Sequence, residues 1–249
     1  HGDTPIPVIA TSTATDCFDV AIEAVRLAIK YMSPVMILTD GYLANASEPW
    51  KIPDFDSLKP FRVNYYDDPT DFKPSIRDKT TNARVWPRPG TPGMEHRIGG
   101  IEKSFETGDI SYDPANHQKM TELRQQKVAQ IATDVPLQEV CFGKNQGKLA
   151  VLGWGSTYGA IHQAVKKAVA EGMEVSHIHV RYLAPMPSNL GELLSKFDSV
   201  LIPEMNTGQF VKMIRSEFLI DAQGLNKIAG QPFKIGEILA AIVEKYRNL

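Results

Sequence analysis

The second half of the chain limits the possible folds most. From Gly147 onward, short apolar runs and amphipathic stretches alternate to the last residue. "KLAVLGW" reads as a strand, "TYGAIHQAVKKAVAEG" as a helix closed by Gly172, "VSHIHVRY" as a strand and "SNLGELLSKF" as a helix. "SVLIPEM" then reads as a strand, "GQFVKMIRSEFLIDA" as a helix and, after a short "NKIAG", "IGEILAAIVEKYRNL" as a last helix. Unbroken apolar strands alternating with helices predict a mostly parallel sheet covered on both faces, because each helix must lay its apolar stripe somewhere. The expected class is α/β.

The amino-terminal part begins the same way and then departs from it. "IPVIATS" (6 to 12) reads as a strand, and Phe18, Ile22, Val25, Leu27 and Ile29 recur at helical spacing behind Ser/Thr/Asp capping residues. "VMILTD" (35 to 40) is an apolar run of the kind buried on both faces. It ends in Asp40 and Gly41, at the strand end where α/β proteins place ligands. From about residue 48 to about 110 periodicity is lost among prolines, glycines and charges, as in "RPGTPGMEHRIGG" (88 to 100). Trp50, Phe55, Phe61, Tyr65, Tyr66, Phe72 and Trp86 argue against disorder, so the expectation is an ordered, extended arm. Helical character resumes over 112 to 135, with Asp113 as N-cap and Pro114 in the first turn.

Composition excludes several classes of function. Lys plus Arg number 27 against 29 Asp plus Glu, so no basic field points to nucleic acid or an anionic membrane. No apolar run approaches the roughly 18 residues that span a bilayer, and no signal peptide is visible. Cys17 and Cys141 are the only cysteines, too few for an iron–sulfur site and better suited to a reducing compartment, so a cytoplasmic location is expected. The chain opens on His1, and "HGDTPIPVIATS" enters a strand at once, as the interior of a longer polypeptide would.

Four groups of residues are candidates for chemistry. In "GWGSTYG" (153 to 159), Ser156 and Thr157 join a strand to a helix, where backbone amides could hold an anion or the hydroxyls could simply cap the helix. The capping reading is preferred. The stretch is neither a dinucleotide fingerprint nor a P-loop. In "PEMNTGQF" (203 to 210), Glu204 stands at a strand end with Asn206 or Thr207 as cap, on the same sheet edge. Subunit contact is the preferred role of that edge, since no acid, base and nucleophile converge there. His177 and His179 share one face of a strand at metal-chelating spacing, but no third ligand is evident and a structural role is favoured. Glu95, His96 and Arg97 lie in a glycine-rich loop that could bring a cation to a carboxylate or phosphate, or could be shaped by an Arg97 ion pair; both readings stand.

Three stretches carry a resemblance: "ATDCFDVAIEAVRLAIKYMSPVMILTDGYLANASEPW", "WPRPGTPGMEHRIGGIEKSFETGDISYDPANHQKMTELRQQKV" and "VLGWGSTYGAI". Together, and over the whole chain, they resemble the α subunit of bacterial 2-oxoacid:ferredoxin oxidoreductases, most closely the two-subunit 2-oxoglutarate type. The resemblance implies that residues 1–47 are the carboxyl-terminal part of a thiamine pyrimidine-binding domain, 48–146 a linking arm and helix, and 147–249 a transketolase-C-terminal-like domain. It implies reversible oxidative decarboxylation of 2-oxoglutarate to succinyl-CoA with electrons passed to ferredoxin, or the same reaction on pyruvate or branched-chain acids. A β subunit is the expected partner, in a heterotetramer. Thiamine diphosphate, Mg²⁺ and a [4Fe-4S] cluster are expected in the complete complex, mainly on β, and none on this chain alone. The cofactor-activating glutamate and substrate loop are expected before His1, so no catalytic residue carries over. His1, Asp3, Asp40, His96, Arg97, Ser156, Thr157, Glu204 and Asn206 are the site-proximal or interface candidates. The competing reading is a non-catalytic assembly or regulatory module that binds an anion or partner along the Ser156 and Asn206 edge.

Overall fold

The structure, a computed structural model, describes residues 3–249. In chain order the elements are β1 (Val8–Ala10), α1 (Asp16–Tyr31), β2 (Met36–Leu38), α2 (Gly41–Asn45), β3 (Tyr65–Tyr66), β4 (Trp86–Pro87) and α3 (Pro114–Ala129). Then follow β5 (Val140–Phe142), β6 (Gly147–Trp154), α4 (Tyr158–Ala170), β7 (Val175–Val180), β8 (Tyr182–Ala184) and α5 (Leu190–Leu194). The chain finishes with β9 (Phe197–Glu204), α6 (Gln209–Phe218), β10 (Gln223–Asn226) and α7 (Ile235–Arg247). Contacts divide it into two units. The larger holds Val8–Ala21, Ile37–Trp50 and Val135–Leu249; the smaller holds the residues up to Pro7, Ile22–Met36 and Lys51–Asp134.

The larger unit is built on a five-stranded sheet of order β10-β9-β6-β7-β5, in which β10, β9, β6 and β7 run parallel and β5 is an antiparallel edge. Residues 149–152 of β6 are fully buried, and their alternation decides which layer each joins. Ala150 and Leu152, with Ile178, Val200 and Ile202, pack on Leu190, Leu194, Phe210 and Ile214 of α5 and α6. Leu149 and Val151 face Ile161 and Val165 of α4 and Ile238 and Ile242 of α7. The mixed α/β class read from the sequence is what the chain adopts.

Three local readings need correction. "VSHIHVRY" is not one strand: β7 ends at Val180, the Arg181 carbonyl accepts from Ala10 N at 2.8 Å, and β8 pairs antiparallel with β1 in a second sheet of order β2-β1-β8. Arg181 is turned aside to Asp16, whose other oxygen accepts from Ser12 N (2.9 Å) and Ser12 Oγ (2.8 Å). The run at β2 is not buried on both faces, because β2 is a sheet edge and Met36, Ile37 and Leu38 are 48, 36 and 37% exposed. In α1 the buried stripe is Val20, Ala24, Leu27 and Tyr31 at i, i+4, i+7 and i+11, while Val25 is exposed.

In the smaller unit the aperiodic stretch is ordered by side-chain hydrogen bonds instead of regular elements. Trp86 Nε1 donates to Ile29 O at 3.1 Å beside the parallel β3–β4 pair, and Asp78 gathers Thr80 N, Thr81 N and Thr81 Oγ1 at 3.0, 2.7 and 2.9 Å. Gly93, at φ 81°, makes a left-handed turn against Pro69 that a side chain would strain. Asp113 caps α3 through Ala115 N at 3.1 Å, with Pro114 in its first turn as expected. Asp134 binds Arg26 at 2.8 Å and Lys30 at 2.6 Å; burial opposes its charge, but those bonds win and hold its carboxyl below the usual range.

The corrected stripe makes a paired prediction. Leu27→Ala should cost about 2–5 kcal/mol in urea unfolding, whereas Val25→Ala, on the same helix but exposed, should stay within about 0.5 kcal/mol.

Candidate functional site

Strands β6 and β9 are parallel neighbours, so the turns that follow Trp154 and Glu204 open side by side at the carboxyl edge of the sheet. A cavity of about 300 Å³ lies there. Five of the nine candidate residues line it: Asp40, Ser156, Thr157, Glu204 and Asn206.

The chemistry of this edge is settled by where its donors point. Glu204 is fully buried and accepts from Phe210 N, Val211 N and Asn206 Nδ2, each at 2.9 Å. Asn206 Oδ1 accepts from Gly208 N (2.7 Å) and Gln209 N (2.9 Å). The amides that a helix leaves unpaired at its start are therefore all taken at α6, two by the Asn206 amide oxygen and two by the Glu204 carboxylate, which complements the helix dipole. The cap expected at Asn206 is present, and Glu204 shares it.

At the other turn the hydroxyls behave differently from the preferred reading. Ser156 donates its hydroxyl to Asp40, whose second oxygen caps α2 through Leu43 N at 3.0 Å. Thr157 Oγ1 donates to Trp154 O at 2.7 Å. Neither hydroxyl caps α4, because residues 155–157 form a 3₁₀ turn ahead of that helix and direct them back toward the edge.

This arrangement is a poor seat for a diphosphate: two carboxylates face the cavity, the α6 amides are occupied, and no Lys or Arg lines it. It does not fit an iron–sulfur cluster either, since two cysteines fall short of the thiolates required. Among the described residues no group of three or more His, Cys, Asp or Glu is placed to hold a metal ion, and no helix is long and apolar enough to cross a membrane.

His177 and His179 belong to an aromatic group on the adjacent strand. Tyr158 stacks on His162 at 5.5 Å and meets His179 edge-on at 5.0 Å, and His177 Nδ1 lies 3.5 Å from His162 Nδ1. His179 Nε2 donates to Gly155 O at 3.1 Å, whereas His177 Nε2 and His179 Nδ1 are buried without a partner. Burial pushes the His177 pKa down to about 2 and that of His179 to about 4, so both rings are neutral. The sequence signal that would have found the partners is Tyr158 and His162, one helical turn apart after β6.

The remaining candidates are elsewhere. His1 lies outside the described residues. Asp3 is exposed in the smaller unit. Glu95 accepts from Gly93 N at 2.9 Å, and His96 Nδ1 meets Met94 O at 2.8 Å while its ring packs on Phe72 at 5.5 Å. Arg97 makes no ion pair among the described residues, so the structural ion pair considered for it is not formed.

Comparison with known proteins decides the family. A profile described as "Pyruvate flavodoxin/ferredoxin oxidoreductase, thiamine diP-bdg" matches residues 2–112, and one described as "Pyruvate:ferredoxin oxidoreductase core domain II" matches 147–238. The chain is 44% identical over 96% of its length to 2-oxoglutarate oxidoreductase subunit KorA of Mycobacterium tuberculosis. It belongs to the 2-oxoacid:ferredoxin oxidoreductase family. The chain is also 28% identical over its full length to the α subunit of 2-oxoacid:ferredoxin oxidoreductase 1 of Aeropyrum pernix. It superposes on a solved 2-oxoglutarate:ferredoxin oxidoreductase of Magnetococcus marinus with a TM-score of 0.92 at 29% identity, over 99% of its length. It spans 36% of the mycobacterial relative, 40% of the Aeropyrum one and 43% of the solved chain.

The neutral histidines give the chain a defined pH response. An unfolded histidine titrates near 6.5, so between that pH and about 4 the unfolded state binds more protons and stability falls as pH drops. The loss is about 1.4 kcal/mol per pH unit for each histidine. Urea unfolding at pH 7, 6 and 5 should show His177→Leu with a slope shallower by about that amount. Parallel slopes would remove His177 from the account.

Proposed function

We propose that the chain is part of the α subunit of an enzyme that converts 2-oxoglutarate, coenzyme A and oxidised ferredoxin to succinyl-CoA, CO₂ and reduced ferredoxin. The observation that carries this reading is the 0.92 superposition on a 2-oxoglutarate:ferredoxin oxidoreductase described with 2-oxoglutarate, coenzyme A and succinyl-CoA bound. The 44% identity to a 2-oxoglutarate oxidoreductase subunit supports the same acid over pyruvate or branched-chain acids. On this reading residues 1–47 close a pyrimidine-binding domain, 48–146 form the arm and helix, and 147–249 form the transketolase-C-terminal-like domain.

When bound in the complete enzyme, thiamine diphosphate would supply the electron sink for decarboxylation and an iron–sulfur cluster a one-electron relay. We place both, with Mg²⁺, mainly on a β subunit, in a cytoplasmic heterotetramer. The poor fit of the Glu204 edge to a diphosphate and the shortage of cysteines support that allocation. What the chain itself contributes at that edge is a polar joint, in which Asp40 and Ser156 lock α2 to the turn after β6. The exposed apolar edge at β2 is a surface for subunit contact. At the α6 turn the module reading has no amides left for an anion, since those amides are already bonded.

The test is product analysis. The complete enzyme, loaded with thiamine diphosphate and cluster and kept anaerobic with ferredoxin and coenzyme A, should form succinyl-CoA from 2-oxoglutarate. It should form little acyl-CoA from pyruvate or 2-oxoisovalerate. Preference for another acid would correct the substrate, and no acyl-CoA from any of the three would overturn the enzymatic reading.

A further inference from the structure

The smaller unit carries an open cavity of about 500 Å³ between α3 and the turns around residues 77, 84 and 97–104. Six cations line it, Arg77, Arg84, Arg97, Lys103, Arg124 and Lys127, against one carboxylate, Glu102. That carboxylate is already engaged, accepting from His117 Nδ1 at 2.9 Å and from Asn116 Nδ2 at 3.4 Å, with Arg124 Nη1 at 3.6 Å. Among the described residues, most of this positive charge has no ion-pair partner. Arg77 uses Nη1 on Asn82 O (2.9 Å), Arg124 uses Nη2 on Thr121 Oγ1 (3.0 Å) and Lys127 donates to Met32 O (3.1 Å). Yet Arg77 Nε and Arg124 Nε are buried with no partner, and Arg84 makes no ion pair among the described residues.

Such crowding is unfavourable by itself. Burial, then Arg84 and Arg124, pull the Arg77 pKa down, and burial with Arg77 and Arg84 pulls Lys127 down to about 8. Half-buried like charges facing one space, with guanidinium donors left over, are a cost to the folded chain that a bound anion would remove. The glycine turn after Arg97 completes the wall: Lys103 Nζ is held by Gly99 O at 2.6 Å, and the Arg97 guanidinium lies beside Gly100.

We propose that this cavity binds a small, multiply charged, phosphate-bearing anion, held by Arg77, Arg84, Arg124 and Lys127. Guanidinium forks match phosphate oxygens two at a time, and a site with so many cations over-neutralises a single carboxylate. The volume suits a diphosphate or a nucleotide. The anion would bind without Mg²⁺, because the one carboxylate present is committed to His117 and Asn116 and leaves no oxygen ligands for that ion.

Calorimetric titration of the complete enzyme with pyrophosphate and with ADP, both without Mg²⁺, tests this. Saturable binding of one anion per chain is expected, weakened about tenfold or more by Arg84→Gln. ADP binding about tenfold tighter than pyrophosphate marks a nucleotide-borne phosphate, and equal binding marks a free one; either supports the site. A merely structural Arg84 is separated by thermal unfolding without anion. Arg84→Gln should then melt no lower than the parent, because it relieves repulsion, and a lower midpoint would overturn the proposal. So would pyrophosphate binding unchanged in an Arg84→Gln, Lys127→Met double variant. No binding of either anion to the complete enzyme would mean that acidic side chains of another segment fill the cavity, and would also overturn it.

Discussion

The backbone of β6 meets no water along residues 149–152, so its amides and carbonyls can be satisfied only by strands on both sides. Much of the larger unit follows from that. β7 and β9 run parallel to it, their connections must cross over as helices on the two faces, and those crossovers bring the carboxyl ends of β6 and β9 to one edge. An edge built that way points the first turns of α4 and α6 at a common space, which in many α/β proteins is where an anion sits. Here the Glu204 carboxylate and the neutral Asn206 amide oxygen take the α6 amides from within the chain.

That substitution of a carboxylate for a ligand separates the family likeness from the local chemistry. The chain belongs to the 2-oxoacid:ferredoxin oxidoreductase family, but on the edge that its topology would nominate as a site the α6 amides are already bonded by its own side chains. The positive potential that does exist lies in the other unit, among arginines held by an arm of irregular backbone.

Fold class was legible because it rests on local pattern: β6 and β9 are apolar runs, and α3 announces itself by Asp113 and Pro114. The errors came where a partner distant in sequence decides. β8 leaves the main sheet because Arg181 pairs with Asp16 and its carbonyl with Ala10, contacts that no periodicity in "VSHIHVRY" encodes. Ser156 abandons its helix for Asp40 for the same kind of reason. Glu204 and Asn206 were readable because strand end, Asx turn and helix start are adjacent in sequence. The arginine cavity was not, since its members are scattered from 77 to 127 without a period and meet only through the turns between them.

Closure of the α6 turn to anions is what sets this edge apart from an anion site. Amide NMR spectra of the chain, recorded during titration with thiamine diphosphate and Mg²⁺, test this residue by residue. The prediction is that the Gly208, Gln209, Phe210 and Val211 signals show no saturable shift. Saturable shifts at those amides would show that the ligand displaces Glu204 and Asn206, and would contradict the account.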